Sequence, residues 1–292
     1  MSERNITAPG GRTLRITEAG DPAGTPIVWL HGSPGSGSID PATAARAREK
    51  RIRLIGYDRP GYGGSDRLAG RNVADCAADV RAIATVLGLD RLAVWGISGG
   101  GPHAAACAAL LENLVPAVAV LGSIAPYGAP RLDYFAGMGE LNVEDIQLHL
   151  KDPEAARARG AEERRQLLET DLDGMLESWK SLLSPVDVAA LSREYGAAVL
   201  AQVQEGLRPS DEGWWDDGVA HLRDWGFGLT QIKTPVLVAH GRHDRFVPFA
   251  HGEWLAQAIP TAEPWLLEDE GHISLLTNRL DGIEDWLLER TR

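Results

Sequence analysis

Ser98 is the first candidate for covalent chemistry, because residues 96–100 read Gly-Ile-Ser-Gly-Gly and place a glycine two positions before it and two positions after it. This pattern is typical of a nucleophile elbow, in which a serine is presented on a sharp turn between a strand and a helix. An apolar run at residues 92–95 predicts the strand, and an alanine-rich run at residues 102–111 predicts the helix. We expect any side chain at either flanking glycine to collide with neighbouring backbone.

A serine nucleophile requires a base to take its proton and an acid to orient that base. Because functional groups gather at the carboxyl ends of parallel strands, both partners are expected on loops that follow later strands. Asp244 follows an apolar strand predicted at residues 236–239, and His272 lies on the loop before a final helix predicted at residues 275–288. Among the eight histidines, His272 combines a preceding glycine with that loop position.

The order of the predicted elements indicates an α/β fold. Strands and helices alternate in the first part of the chain, which favours a mostly parallel central sheet flanked by helices. Residues 125–228 then lack a strand-like apolar run, and residues 184–187 read Ser-Pro-Val-Asp, with a capping serine, a proline at the first helical position and an acid at the third. We therefore predict a core formed by residues 1–124 and 229–292 with a helical cap inserted at 125–228.

Composition narrows the class of partner. The 292 residues carry a net charge of -12, which argues against nucleic acid and anionic membrane surfaces. The polar first 20 residues lack the apolar core of a signal peptide, and no apolar run approaches the length of a membrane span. Two cysteines make neither a disulfide framework nor a metal site. We expect a cytoplasmic monomer or homodimer that acts on a small-molecule substrate without cofactor or metal.

Five motifs in order carry a resemblance to a known family. They are His-Gly-Ser-Pro-Gly at 31–35, Asp-Arg-Pro-Gly-Tyr-Gly-Gly-Ser at 58–65, the elbow at 96–100, Gly-Arg-His-Asp-Arg-Phe-Val-Pro at 241–248 and Gly-His at 271–272. Over nearly the whole chain they resemble the α/β-hydrolase fold superfamily. The first motif and the helical insertion resemble its capped serine-hydrolase branch, which includes prolyl iminopeptidases, epoxide hydrolases and carboxylesterases. A serine at the elbow argues against epoxide-hydrolase and dehalogenase chemistry, which need a carboxylate nucleophile.

The resemblance implies a role for five residues: Ser98 as nucleophile, His272 as base, Asp244 as the acid that orients it, and the backbone N–H groups of Ser33 and Gly99 as an oxyanion hole. One such donor lowers the barrier by roughly 3–4 kcal/mol. Some members of the family carry the acid after the strand that follows the elbow helix. Residues 121–124 occupy that place here and contain no carboxylate, which favours Asp244.

The substrate pocket is less well defined by sequence. His31, His103, Trp214 and Trp215 are candidates to line it. Residues 126–228 contain 20 Asp and Glu against 10 Lys and Arg, and so hold -10 of the net charge. These acids either form a solvated helical surface or face the site and favour a cationic substrate, as cap glutamates do for the free amine in prolyl iminopeptidases.

The predicted function is hydrolysis of a small carboxylic ester through an acyl-enzyme, as in carboxylesterases. A prolyl-iminopeptidase-like aminopeptidase, a lactonase and a C–C bond hydrolase would use the same triad and stay open as alternatives. Gly99 stands where iminopeptidases typically carry a bulky aromatic residue, which weighs against the first of these. From a different class, a non-catalytic binding protein of the same fold is a further alternative, which the complete candidate triad disfavours.

Overall fold

A computed structural model describes residues 1–291. Within this range, eight strands form one sheet: β1 (Ser2–Thr7), β2 (Thr13–Gly20), β3 (Thr25–Leu30), β4 (Ile52–Tyr57), β5 (Ala93–Ile97), β6 (Val118–Leu121), β7 (Val236–Gly241) and β8 (Ala262–Leu267). Their spatial order is β1-β2-β4-β3-β5-β6-β7-β8. In this spatial order, the six strands from β4 through β3 to β8 run parallel. The first two, β1 and β2, pair in antiparallel fashion with each neighbour. The expected mostly parallel α/β sheet is confirmed.

Five α-helices pack on the sheet, and six more lie between β6 and β7 in the described part of the chain. The first group is α1 (Pro41–Glu49), α2 (Cys76–Leu87), α3 (Gly101–Leu110), α10 (Phe249–Ala258) and α11 (His272–Thr291). The second group, called the cap helices below, is α4 (Glu140–Lys151), α5 (Pro153–Glu169), α6 (Leu172–Ser178), α7 (Pro185–Ala190), α8 (Arg193–Leu207) and α9 (Glu212–His221). None of the helices described within residues 1–291 is long and apolar enough to cross a membrane.

The central strands are apolar on both faces because each face is covered by helices. On β5, Val94 belongs to the apolar cluster that also contains residues of α2 and α3, while Ala93 and Trp95 belong to the cluster that contains residues of α1 and α11. This two-sided burial produces continuous apolar runs rather than an alternating pattern. Because β3, β5 and β7 run parallel, their carboxyl ends reach the same edge of the sheet, and the candidate motifs begin there.

The start of the last helix corrects one expectation. Sequence reasoning placed His272 on a loop before a helix at 275–288, whereas α11 begins at His272 itself. The cause is a distant carboxylate: Asp187, on α7, accepts hydrogen bonds from the backbone N–H groups of Ile273 and Ser274. A capping group supplied by another helix leaves no mark in the local sequence. The local capping pattern at residues 184–187 is confirmed, since Ser184 and Asp187 form a capping box on α7.

Candidate active site

Ser98 lies on a sharp turn between β5 and α3. Its φ angle is 54°, a left-handed conformation that non-glycine residues rarely adopt. A Cβ atom at Gly96 would lie 2.3 Å from the carbonyl oxygen of Gly100, and one at Gly100 would lie 2.2 Å from the carbonyl oxygen of Leu30. The prediction that both flanking glycines are required sterically is confirmed. The turn leaves Ser98 partly exposed at the amino-terminal end of a helix.

Asp244 and His272 form a close buried pair. Asp244 lies on the loop after β7, and its Oδ2 atom is 2.6 Å from Nδ1 of His272. The Oδ1 atom of Asp244 accepts the backbone N–H of Val247 at 2.8 Å, which fixes the carboxylate. The Phe246 ring stacks on the imidazole with centroids 4.6 Å apart. A neutral imidazole whose Nδ1–H is donated to a carboxylate presents Nε2 as a proton acceptor.

The charge state of His272 is set by opposing effects. Burial disfavours the charged ring, but the carboxylate of Asp244 stabilises it through charge and a hydrogen bond, with a further contribution from the Asp187 carboxylate. The pKa of His272 is consequently raised above its ordinary value of 6.5. An imidazole with this balance can accept a proton near neutral pH and hold it as a stabilised cation.

Ser98 and His272 face the same cavity. Both line a space of about 840 Å³ between the sheet and the cap helices. Ser98 also lines a second space, of about 390 Å³, which extends into α4, α5 and α6. In residues 1–291 no direct hydrogen bond joins the Ser98 hydroxyl to His272; without substrate, hydrogen bonds of this kind are often long. Ser98 thus lies at the junction of two chambers, with His272 in the wall of the larger one.

Ser33 and Gly99, the candidate oxyanion donors, lie side by side. A Cβ atom at Gly99 would lie 2.6 Å from Ser33 Oγ, and one at Gly32 would lie 3.7 Å from Ser98 Cβ. Ser33, Ser98 and Gly99 together line the smaller chamber. The loop after β3 is therefore packed against the elbow, on the side of Ser98 that faces the cap.

A buried charge cluster supports this loop from the cap side. Asp217 on α9 is fully buried, and its two oxygens contact Ser33 Oγ (2.5 Å), Arg59 Nη2 (2.6 Å), the Tyr62 hydroxyl (2.9 Å), Arg71 Nη1 (2.6 Å) and His103 Nε2 (3.3 Å). We call these six residues the Asp217 cluster. Arg59 also donates to the carbonyl oxygens of His31 and Gly32. One turn further along α9, His221 Nε2 lies 3.1 Å from the carbonyl oxygen of Gly99.

The electrostatics of the Asp217 cluster disfavour a metal ion. Burial alone would raise the pKa of Asp217, but Arg59 and Arg71 hold it well below its ordinary value. Burial lowers the pKa of His221 to about 3, so this ring is neutral. Ligand atoms of His103, Asp217 and His221 all lie within 4.8 Å of one another, a spacing that a cation could bridge. Two guanidinium groups already neutralise the only carboxylate of that trio, which makes it a poor cation site.

The four predicted pocket residues fall in different places. Trp214 lines the smaller chamber, and His31 lines the larger one. His103 is buried in the Asp217 cluster, outside the described linings of both chambers. Trp215 also lies outside those linings, where its indole stacks on the His149 ring with centroids 5.1 Å apart. The structure therefore brings two of the four to a chamber wall.

Sequence reasoning did not single out Arg59, Asp187 or Asp217. Arg59 lies in the motif at residues 58–65, which carries the family resemblance but for which no catalytic role is predicted. Asp217 lies in an acidic run that is typical of a solvated helix. Asp187 was visible as a local capping residue of α7, but its bonds to α11 were not. No local pattern marks the buried face of α9, because its two tryptophans are only half-buried and the buried positions include two acids.

Comparisons with known proteins identify the family of this chain. The model of the alpha/beta hydrolase fold family matches residues 25–279. The AB hydrolase superfamily protein YisY of Bacillus subtilis is 28% identical over 264 residues, covering 89% of this chain and 88% of that protein. A 2-hydroxy-6-oxononadienedioate/2-hydroxy-6-oxononatrienedioate hydrolase of Klebsiella pneumoniae is 26% identical over 280 residues, covering 90% and 86%. A proline iminopeptidase of Neisseria gonorrhoeae is 24% identical over 267 residues, covering 84% and 82%.

Solved structures share the fold at low sequence identity. Esterase RhEst1 from Rhodococcus sp. ECU1013 superposes with a TM-score of 0.71 at 21% identity, covering 99% of this chain and 100% of that one. The esterase EaEST from Exiguobacterium antarcticum gives 0.71 at 22% identity, covering 100% of both chains. With a family model matched from residue 25 to residue 279, this chain belongs to the alpha/beta hydrolase fold family.

Proposed function

We propose that this protein is a serine hydrolase that cleaves small carboxylic esters through an acyl-enzyme. The observation that carries the proposal is the 2.6 Å contact between His272 Nδ1 and Asp244 Oδ2, because it belongs to an imidazole in the wall of a cavity that Ser98 also lines. The strained elbow at Ser98 and the adjacent positions of Ser33 and Gly99 support the same chemistry.

In the proposed mechanism, Nε2 of His272 takes the proton of the Ser98 hydroxyl while Oγ attacks the ester carbonyl carbon. The backbone N–H groups of Ser33 and Gly99 stabilise the negative oxygen of the tetrahedral intermediate. The intermediate collapses, the alcohol leaves, and His272 gives it the proton. Water, deprotonated by the same imidazole, then attacks the acyl carbon. The bond from that carbon to Ser98 Oγ breaks, Oγ takes the proton back from His272, and the acid is released. Asp244 keeps the ring in its productive tautomer throughout.

The two chambers suggest which part of the ester lies where. A general acid must be within hydrogen-bond reach of the atom it protonates, so the leaving alcohol belongs beside His272, in the chamber of about 840 Å³. The acyl group then occupies the chamber of about 390 Å³, whose wall includes Gly99, Leu141 and Leu167. Both volumes fall within the range of small-molecule sites.

The first test is removal of the nucleophile. Ser98→Ala should lower turnover of a p-nitrophenyl ester by at least about 10⁴-fold while far-UV circular dichroism and the melting temperature stay near those of the wild type. A fluorophosphonate probe should label the wild type once and leave Ser98→Ala unlabelled. Substantial turnover by folded Ser98→Ala would contradict the proposal.

The second test assigns the chambers. Leu167→Trp should shorten the longest acyl chain accepted at a fixed alcohol, and Val199→Trp in the larger chamber should restrict the alcohol at a fixed acyl group. Leu150→Trp is the matched control, because Leu150 is exposed on α4 and lies outside both linings in the described structure. If Leu167→Trp restricts the alcohol instead, the assignment of the chambers is reversed.

One observation favours aminopeptidase activity as a second candidate. Asp145 and Glu163 line the smaller chamber, where burial raises the pKa of both carboxyl groups. A carboxylate there could bind the free amine of an amino-terminal residue. The space beside the elbow weighs against this candidate, because a Cβ atom at Gly99 would lie 3.0 Å from Cε1 of His221, which leaves no room for an aromatic side chain.

The carboxylates of Asp145 and Glu163 also weigh against a dicarboxylate substrate, such as the 2-hydroxy-6-oxononadienedioate in the name of the Klebsiella relative. Among the described residues that line the smaller chamber, none is Lys or Arg, whereas two are acids. An anionic acyl group would meet repulsion there without a compensating cation.

Parallel assays with short-chain esters and proline arylamides separate the esterase candidate from the aminopeptidase candidate. We expect kcat/KM for the esters to exceed that for the arylamides.

A further inference from the structure

Asp187 is a fully buried carboxylate on cap helix α7 that also binds the core. Its Oδ1 atom accepts the backbone N–H groups of Ile273 at 2.8 Å and Ser274 at 3.1 Å. Its Oδ2 atom accepts the Ser184 hydroxyl at 2.6 Å. The carboxylate thus bridges α7 and the first turn of α11.

These bonds give α11 the capping group that its own sequence does not supply. The first N–H groups of a helix have no partner within the helix, and a carboxylate beside them both accepts their hydrogen bonds and interacts favourably with the helix dipole. His272 is the first residue of α11, immediately before the two N–H groups that Asp187 binds. The main chain that carries the imidazole is therefore fixed by a residue of the cap.

The preceding glycine has a steric role in this contact. A Cβ atom at Gly271 would lie 2.4 Å from Oδ1 of Asp187, so no other residue fits without displacing the carboxylate. The N–H of Gly271 donates to Ser274 Oγ at 2.7 Å, which closes the turn around the capped end. The Gly-His pair that sequence analysis used to locate the base is thus also the place where the cap docks.

The charged groups around the imidazole come from three elements. Asp244, on the loop after β7, contacts Nδ1 directly, and Asp187 lies at the start of α11 from the side of α7. His240, on β7, has Nε2 3.5 Å from Asp244 Oδ2 and 2.9 Å from the Val247 carbonyl oxygen, and burial lowers its pKa, so it adds no positive charge. The two carboxylates both favour the protonated imidazole.

We propose that Asp187 is a positioning residue for His272: it holds the start of α11 through two backbone hydrogen bonds and stabilises the imidazolium that forms during turnover. The inference rests on the proposed function, in which His272 is the general base. It makes the cap a part of the catalytic apparatus as well as a wall of the substrate chambers.

Two substitutions separate the two contributions. Asp187→Asn keeps an oxygen for both N–H groups and removes the charge, so kcat at its pH plateau should stay within about threefold of the wild type. The acid limb of kcat/KM should move to lower pH by about 0.5 unit, because a stabilising charge has been lost. Asp187→Ala removes the acceptor as well, and kcat per active site should fall at least tenfold with KM changed less.

The control is Asp152→Ala. Asp152 caps α5 through a bond to the Ala155 N–H at 3.0 Å and lies outside the described linings of both chambers. Its loss should lower the melting temperature and leave kcat and the pH profile unchanged. Active-site titration with a fluorophosphonate corrects every rate for the folded fraction.

Unchanged kcat in titrated Asp187→Ala would overturn the proposal whatever its melting temperature. Should Asp187→Ala fail to fold, Asp187→Asn decides: an acid limb at the wild-type pH overturns the proposal, and a limb at lower pH supports it. His272→Ala is measured in parallel. If His272→Ala retains the wild-type rate, the proposed function and the positioning role both fall, whereas an inactive His272→Ala with unchanged Asp187 variants removes only the positioning role.

Discussion

His272 determines how activity should depend on pH. Its pKa lies above 6.5 because the carboxylates of Asp244 and Asp187 outweigh the effect of burial. The neutral ring is the base, so kcat/KM should fall as the pH drops through that raised pKa. We expect the midpoint of the acid limb of kcat/KM to lie above pH 6.5. It is measured with an ester whose uncatalysed hydrolysis rate is constant over the pH range of the assay. A midpoint at lower pH would mean that burial dominates.

Gly99 is the second residue whose identity the geometry explains. A Cβ atom there would lie 2.6 Å from Ser33 Oγ, so Gly99→Ala should push the loop after β3 away from the elbow. Because both proposed oxyanion donors are displaced, kcat/KM should fall by about 10- to 100-fold.

A double-mutant cycle tests this cause. In a Ser33→Gly background, the oxygen that the new methyl group meets is absent, and the Gly99→Ala step should cost less than about threefold. The Ser33→Gly single variant sets the baseline, since it also loses the bond to Asp217. Equal losses in both backgrounds would show that the methyl group acts through a different contact.

At the level of elements, α9 is joined to the core by the Asp217 cluster. Asp217→Ala leaves the guanidinium groups of Arg59 and Arg71 buried without their carboxylate partner. Breaking one side of a buried ion pair costs about 3–5 kcal/mol of unfolding free energy. We expect a loss of that size in urea denaturation. The comparison is Asp173→Ala, whose partner Arg193 is largely exposed, and which should change the unfolding free energy little.

The depressed pKa of Asp217 determines how the stability lost in Asp217→Ala should depend on pH. The folded-state pKa is depressed well below the ordinary value of 3.8, so the stability that this group contributes is present above that value and is lost as the pH falls through the folded pKa. The Asp217 carboxylate therefore contributes stability throughout pH 5 to 8. Because the bond to Asp217 raises the pKa of His103, the difference between wild type and Asp217→Ala should grow as the pH falls from 8 to 5. A difference that vanishes at pH 5 would contradict the assigned ion pairs.

Elements whose signals are local were predictable from the sequence. The central strands are apolar on both faces and read as continuous runs, and Gly96 is required by the carbonyl oxygen of Gly100 within the same turn. Gly100 belongs to the same local motif, although its Cβ atom would meet the carbonyl oxygen of Leu30 on β3. Asp244 and His272 could be proposed together because a parallel sheet brings strand ends to one edge. Their contact at 2.6 Å agrees with that reasoning, while their catalytic roles stay predictions.

Elements whose signals come from distant residues were not predictable. The start of α11 at His272 depends on Asp187, which lies 85 positions earlier in the sequence. The burial of Asp217 depends on Arg59 and Arg71, which lie on the connection between β4 and α2, where no helical pattern anticipates them. The division of the site into two chambers depends on how α4 to α9 pack, and the assignment of residues 125–228 to a separate cap stays a prediction.

Across the whole molecule, the cap helices differ in how firmly they are attached. In α9, the buried residues are Gly213, Asp216, Asp217, Ala220 and His221. In α4, all of whose residues are described, none is buried, and in α5 only Ala156 is buried. Helix α9 is therefore anchored in the core, whereas α4 and α5 are held by few buried residues.

This contrast predicts a gradient of hydrogen exchange. Amides of α9 should exchange through global unfolding, like those of β5, because opening α9 would expose the Asp217 cluster. Amides of α4 and α5 should exchange at least about tenfold faster, since few buried contacts oppose their local opening. Mass spectrometry of peptides from each helix under native conditions measures both rates. Asp217→Ala should raise the rates in α9 and β5 together, because both exchange through global unfolding, and should change the rates in α4 and α5 less. Equal protection throughout the cap would mean that it opens as one unit, whereas faster exchange in α4 and α5 would show that these two helices open independently of α9.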